Sequence, residues 1–137
     1  MGRILAVDYG RKRTGLAVTD PAQIIANGLT TVDTHKRWEF LADYSSREEV
    51  ERIVVGMPVQ TNGEPSDNQR NIIPFVNRWR KNYPDIPIVE WDERFTSVLA
   101  HRTMLDAGLH KMARRNKALV DEISATIILQ SYMESLR

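Results

Sequence analysis

The chain has 137 residues, 42% of them hydrophobic and 27% charged, and its 19 basic and 18 acidic residues leave a formal net charge of +1. That length suits one domain with a core of its own, spanning residues 1–137. The absence of cysteine excludes a disulfide scaffold, a thiolate zinc site and a Cys nucleophile.

Arg3 to Asp8 is a short apolar run closed by a carboxylate, which predicts a buried strand. Tyr9-Gly10-Arg11-Lys12 reads as a turn, with Gly10 free to take a positive φ. Thr14 to Thr19 is small and β-branched, so a hairpin is expected. A third strand covers Gly28 to Asp33, where Leu29, Thr30, Thr31 and Val32 favour extended backbone. From Lys36 the apolar spacing approaches 3.6, through Trp38, Leu41, Ala42 and Tyr44, and predicts a helix to Glu49. Arg52 to Gly56 is a β-branched run suited to a central, parallel strand. Met57 to Pro65 reads as a loop. Ser66 then opens a helix in a capping-box arrangement with Gln69, and Ile72, Ile73, Val76 and Trp79 give it an apolar face before Tyr83-Pro84. Ile86 to Trp91 is a strand, and Thr96 or Ser97 caps a helix through Ala107, with Gly108 as its stop. A last, largely apolar helix is expected from Ala118 to Leu136. The order βββαβαβαα predicts an α/β fold with a mixed central sheet flanked by helices.

No apolar stretch is long enough for a membrane span, and Asp8, Lys12 and Arg13 near the amino end do not fit a signal peptide. A cytoplasmic protein without membrane partners is the expectation.

Three acidic residues stand out. Asp8 ends one apolar strand, Glu93 follows another, and Asp121 falls early in the apolar last helix. In open parallel sheets, ligand sites lie at the carboxyl ends of strands. If the first strand and the Ile86–Trp91 strand are parallel neighbours, Asp8 and Glu93 converge there, and a helix packed above adds Asp121. Three gathered carboxylates need a cation, and an all-oxygen set suits Mg²⁺ or Mn²⁺. Such clusters hydrolyse phosphodiesters with two ions. Each residue also has a purely structural reading. Asp8 fits an Asx-type turn, Glu93 fits a surface ion pair with Arg94, and Asp121 fits a helix dipole.

Asp8-Tyr9-Gly10-Arg11-Lys12-Arg13-Thr14-Gly15-Leu16-Ala17-Val18-Thr19-Asp20 resembles the opening signature of the YqgF (RuvX) family. Val55-Gly56-Met57-Pro58 with Asn62-Gly63 resembles that family's Val-Gly-Leu-Pro loop, and Asp92-Glu93-Arg94-Phe95-Thr96-Ser97 its Asp-Glu-Arg block. Asn116-Lys117, Val120-Asp121 and Ser124-Ala125 resemble its last block. The resemblance runs in order over essentially the whole chain. It implies a ribonuclease H-like fold related to RuvC-type Holliday-junction resolvases, and nuclease activity that matures the 5′ end of pre-16S ribosomal RNA. It implies Asp8, Glu93 and Asp121 as the metal-binding, catalytic set. Leu99 stands where relatives often carry an acidic residue, and Gly56 where the resolvases carry a carboxylate.

Cations border all three carboxylates in sequence. Arg11, Lys12 and Arg13 follow Asp8, Arg94 follows Glu93, and Lys111, Arg114, Arg115 and Lys117 lead into Asp121. Phosphate contacts made by such residues are sequence-independent and salt-dependent. The 110–117 run also fits a solvated linker, and Gly56–Gly63 fits an ordinary loop as well as an amide cradle for phosphate. Trp38, Trp79 and Trp91 suit the core better than base stacking, and the three histidines have no ligand-like spacing.

The expected function is that of a metal-dependent endonuclease acting on structured RNA, the pre-16S rRNA, within ribosome assembly intermediates. The alternatives are a Holliday-junction resolvase acting on branched DNA, and a non-catalytic RNA-binding assembly factor. A monomer and a homodimer both remain open.

Overall fold

In a computed structural model, residues 2–58, 68–92 and 117–136 are described. They form five strands and three α-helices in chain order. These are β1 (Arg3–Tyr9), β2 (Arg13–Thr19), β3 (Ala26–Asp33), α1 (Arg37–Arg47), β4 (Val50–Met57), α2 (Gln69–Asn82), β5 (Ile88–Asp92) and α3 (Lys117–Ser135). A single 3₁₀ turn, Thr34–Lys36, joins β3 to α1. The helix expected over 96–107 lies outside the described residues.

The sheet is mixed, in the order β3-β2-β1-β4-β5. The first three strands form an antiparallel meander, and β1, β4 and β5 run parallel. Strand alternation divides the core in two. Leu5, Val7, Leu16, Ile53 and Val55 face α1 and α2, where Leu41, Ile72, Val76 and Trp79 meet them. Ile4, Ala6, Ala17 and Val54 face α3, which buries Ala125, Ile128, Leu129 and Tyr132 against them. The result is three layers with the sheet in the middle. No helix among the described residues is long and apolar enough to cross a membrane.

Two local expectations change. β1 and β5 are parallel but not neighbours, because β4 lies between them. Gly10 does not need a positive φ. An added Cβ there would stand 2.3 Å from the Arg13 carbonyl oxygen, so close approach across the turn is what demands glycine. The positive φ belongs to Gln23, at 58°, in the β2–β3 loop. The described part of α2 begins at Gln69, and Ser66 lies outside the described residues. Gln69 Nε2 donates to the Pro58 carbonyl at 2.7 Å, and the capping box expected with Ser66 lies outside the described residues.

Candidate active site

Asp8 is the last residue but one of β1, and alternation puts it on the α3 face with Ile4 and Ala6. Its cross-strand partner on β2 is Gly15. A Cβ built on Gly15 would lie 2.0 Å from the main-chain oxygen of Asp121. The first turns of α3 therefore rest directly on the β2 backbone, where only a glycine leaves room. This contact brings Asp121 next to the strand position that faces Asp8. A second glycine supports the same seat from β3: a Cβ on Gly28 would meet the Glu122 side chain at 2.3 Å. Gly15 and Gly28 are site-building residues that strand propensity alone does not reveal.

The Asp121 carboxylate has a partner. Arg13 Nε donates to Asp121 Oδ2 at 2.9 Å, and both side chains are about one-third accessible. Asp121 is thus oriented by a cation from β2, beyond any interaction with the helix dipole. On the other side of β1, the register Val7↔Val55 sets Gly56 beside Asp8. Gly56 is buried and supplies no donor, and it leaves the space between β1 and β5 free of a side chain. β5 pairs Trp91 with Gly56 and closes at Asp92 beside Met57. Glu93 comes next in the chain, outside the described residues.

The turn after Asp8 is tied down from two directions. Asn68, just before α2, donates its side-chain amide to the Tyr9 carbonyl at 2.9 Å. From the β3–α1 junction, Thr34 bonds Gly10, Lys12 and Thr14. Arg11 and Lys12 are exposed at the tip, and neither pairs with a carboxylate among the described residues. Of the remaining candidate cations, Arg94, Lys111, Arg114 and Arg115 lie outside the described residues. Lys117 opens α3.

The tryptophans are structural. Trp79 is fully buried and donates its indole N–H to the Ile86 carbonyl, while Trp38 packs edge-on to Trp79 and Phe75. Trp91 packs edge-on to Tyr132. Near the site, burial pushes the Arg37 guanidinium below its usual range, and the group lies 4.2 Å above the Tyr9 ring. Among the described residues, no three acidic or histidine side chains converge closely enough to hold a metal ion. Asp8 and Asp121 are the described members of the set expected from sequence.

The profile of the RuvX family, described as Holliday junction resolvase, matches residues 2–135. A Phocaeicola vulgatus protein is 67% identical over 135 residues, covering 98% of this chain and 97% of the relative. A Bacteroides fragilis protein is 64% identical over 137 residues, covering 100% and 99%. Both carry the name "Putative pre-16S rRNA nuclease". Among solved structures, T. thermophilus RuvC in complex with a Holliday junction substrate aligns with a TM-score of 0.58 at 14% identity, over 98% of this chain and 96% of that one. Fowlpox virus resolvase with Holliday junction DNA aligns at 0.55 and 16%, over 98% of each. At such identities the likeness is one of fold, and the fold is the ribonuclease H-like one. With the profile and both relatives matching almost the whole length, the chain belongs to the RuvX family.

Proposed function

We propose that the chain is a metal-dependent endonuclease that hydrolyses phosphodiester bonds at the 5′ end of pre-16S rRNA, in the cytoplasm, on ribosome assembly intermediates. The substrate follows the name its relatives carry. The observation that carries the chemistry is the seat of Asp121 on Gly15, the cross-strand partner of Asp8. Two carboxylates from distant parts of the chain are brought to one strand end, an arrangement of oxygen donors that suits a divalent cation.

The donor set fits a hard divalent ion, since carboxylate oxygens suit Mg²⁺ or Mn²⁺ and the chain has no thiolate to favour zinc. Asp8, held in place by its pairing with Gly15 on β2, would hold the metal together with Asp121 from α3 and Glu93 after β5. Divalent metal bound there would supply an activated water and charge stabilisation for the leaving oxygen. The chain itself supplies position. Asp8 holds one edge of the site through the sheet, and α3 holds the other through its glycine seat. Arg11, Lys12 and Arg13 bind the phosphates beside Asp8, and Arg94, Lys111, Arg114, Arg115 and Lys117 extend that cationic rim.

A second reading is resolution of branched DNA, favoured by the family's description as Holliday junction resolvase. It requires two symmetric cuts and therefore a two-fold dimer. The deciding experiment incubates the purified protein with labelled pre-16S RNA and with a four-way DNA junction, each with Mg²⁺, Mn²⁺ or EDTA. RNA cleavage that is lost in EDTA and in Asp8→Asn, with RNA binding retained, is the expected result. Cleavage of the junction alone by a dimer would select the second reading. Binding without cleavage would leave a non-catalytic assembly factor, and full activity of Asp8→Asn would sink the mechanism.

A further inference from the structure

Thr34 is buried at the β3–α1 junction, and while its carbonyl accepts from Arg37 close by, its N–H and hydroxyl are both spent on a different part of the chain. Its N–H donates to the Lys12 carbonyl at 2.9 Å, and its hydroxyl donates to the Gly10 carbonyl at 2.7 Å. The same hydroxyl oxygen lies 3.0 Å from the Thr14 hydroxyl. A hydroxyl has one proton and a carbonyl has none, so the Thr34 proton is committed to Gly10 and Thr14 is the donor to Thr34. The Gly10 N–H closes the turn on the Arg13 carbonyl at 3.0 Å.

These bonds fall on Gly10, Lys12 and Thr14, alternate positions of a turn whose three intervening or adjoining side chains are Arg11, Lys12 and Arg13. The backbone is gripped from below while Arg11 and Lys12 stay exposed. Without the grip, a turn carrying three cations would splay through their mutual repulsion, and binding phosphate would then include the cost of reordering it.

We propose that Thr34 is a positioning residue for nucleic-acid binding: it preorganises the Gly10–Thr14 turn so that its cations meet the phosphate backbone in a fixed array beside Asp8. This rests on the reading of that turn as a nucleic-acid contact. Thr34 itself touches no substrate.

The test measures the affinity of a fluorescein-labelled RNA hairpin with a single-stranded 5′ extension, in EDTA so that nothing is cut. Thr34→Val keeps the shape and removes the hydroxyl, and should weaken binding about three- to tenfold. Thr34→Ser keeps the hydroxyl and should restore wild-type affinity. The decisive readout repeats Thr34→Val in an Arg11→Gln/Lys12→Gln background. If Thr34 acts through those cations, the valine change weakens binding no further there. Additive losses, or an unchanged affinity for Thr34→Val alone, overturn the proposal. If Arg11→Gln/Lys12→Gln binds like wild type, the turn is no nucleic-acid contact and the underlying reading fails instead. Should the valine variant not fold, Thr34→Cys, which puts a weakly donating thiol in place of the hydroxyl, gives a graded loss relative to Thr34→Ser, and wild-type affinity for it refutes the role equally.

Discussion

Arg13 on β2 donates to the Asp121 carboxylate on α3 at 2.9 Å, closing a contact between residues 108 positions apart. The contact uses Nε alone, and both side chains keep about a third of their exposure, so it is a bond that water and ions can reach. If Asp121 is a metal ligand as proposed, a divalent cation there has to compete with Arg13. On that proposal, Arg13 is a stand-in charge that orients the carboxylate in the absence of the cation.

Arg13→Gln should therefore change stability little, by less than about 1 kcal/mol, as for other exposed pairs. Its Mn²⁺ affinity, followed by calorimetry, should rise about fivefold, because one competing positive charge is gone. A weaker affinity would mean that Arg13 aims Asp121 at the metal instead of competing for it.

The two glycines under α3 should respond differently. Gly15→Ala drives a methyl into the Asp121 main chain, which can yield only by lifting the helix. A loss of about 1–3 kcal/mol in urea unfolding is expected, with cleavage activity falling further than stability explains. Gly28→Ala meets only the flexible end of Glu122 and should stay within about 1 kcal/mol of wild type. Equal costs at the two positions would contradict the seat described for Asp121.

At the opposite end of the sheet, Asp20 organises the β2–β3 loop. Its Oδ1 accepts the N–H groups of Ile24 and Ile25 at 2.7 and 2.8 Å, and Oδ2 accepts that of Ala22. These bonds, led by the one from Ile25, hold the Asp20 carboxyl below its ordinary value of 3.8. A carboxylate with a depressed folded pKa stabilises the fold above its unfolded pKa, and that contribution disappears as pH falls through the folded value. In an NMR titration the Ile24 and Ile25 amide shifts should follow Asp20 with a midpoint below 3.8. Asp20→Ala should lose that titration, and a midpoint at or above 3.8 would refute the arrangement.

Much of this architecture was legible in local patterns, and what was not depended on distant partners. The runs through Val7, Val18 and Val54 are β-branched and apolar, and they announce β1, β2 and β4 without help. Ala26 and Asn27 lack that signature. They are extended because Thr19 and Val18 pair with them, so the expected start of β3 fell two residues late. Asp8 was visible as a charge ending an apolar strand. The partner of Asp121 was not, since a contact spanning the chain leaves no periodicity. Gly15 looked like a small strand residue, and Thr34 like a boundary between elements. Their roles depend on what packs against them, which no window of sequence contains. The adjacency of β1 and β5, set only as a condition for Asp8 and Glu93 to converge, is not met, because two parallel crossovers do not by themselves specify which strand occupies the middle.

The span of the Arg13–Asp121 contact also sets an order of assembly during translation. The hairpin with Asp8 and its cationic turn leaves the ribosome early, whereas α3 is synthesised after all the other described elements. Until α3 settles on Gly15 and Gly28, a growing chain carries Asp8 and its cationic turn without the second described carboxylate. On the proposed function, the cations that meet RNA are in place before the set of carboxylates that would cut it is complete.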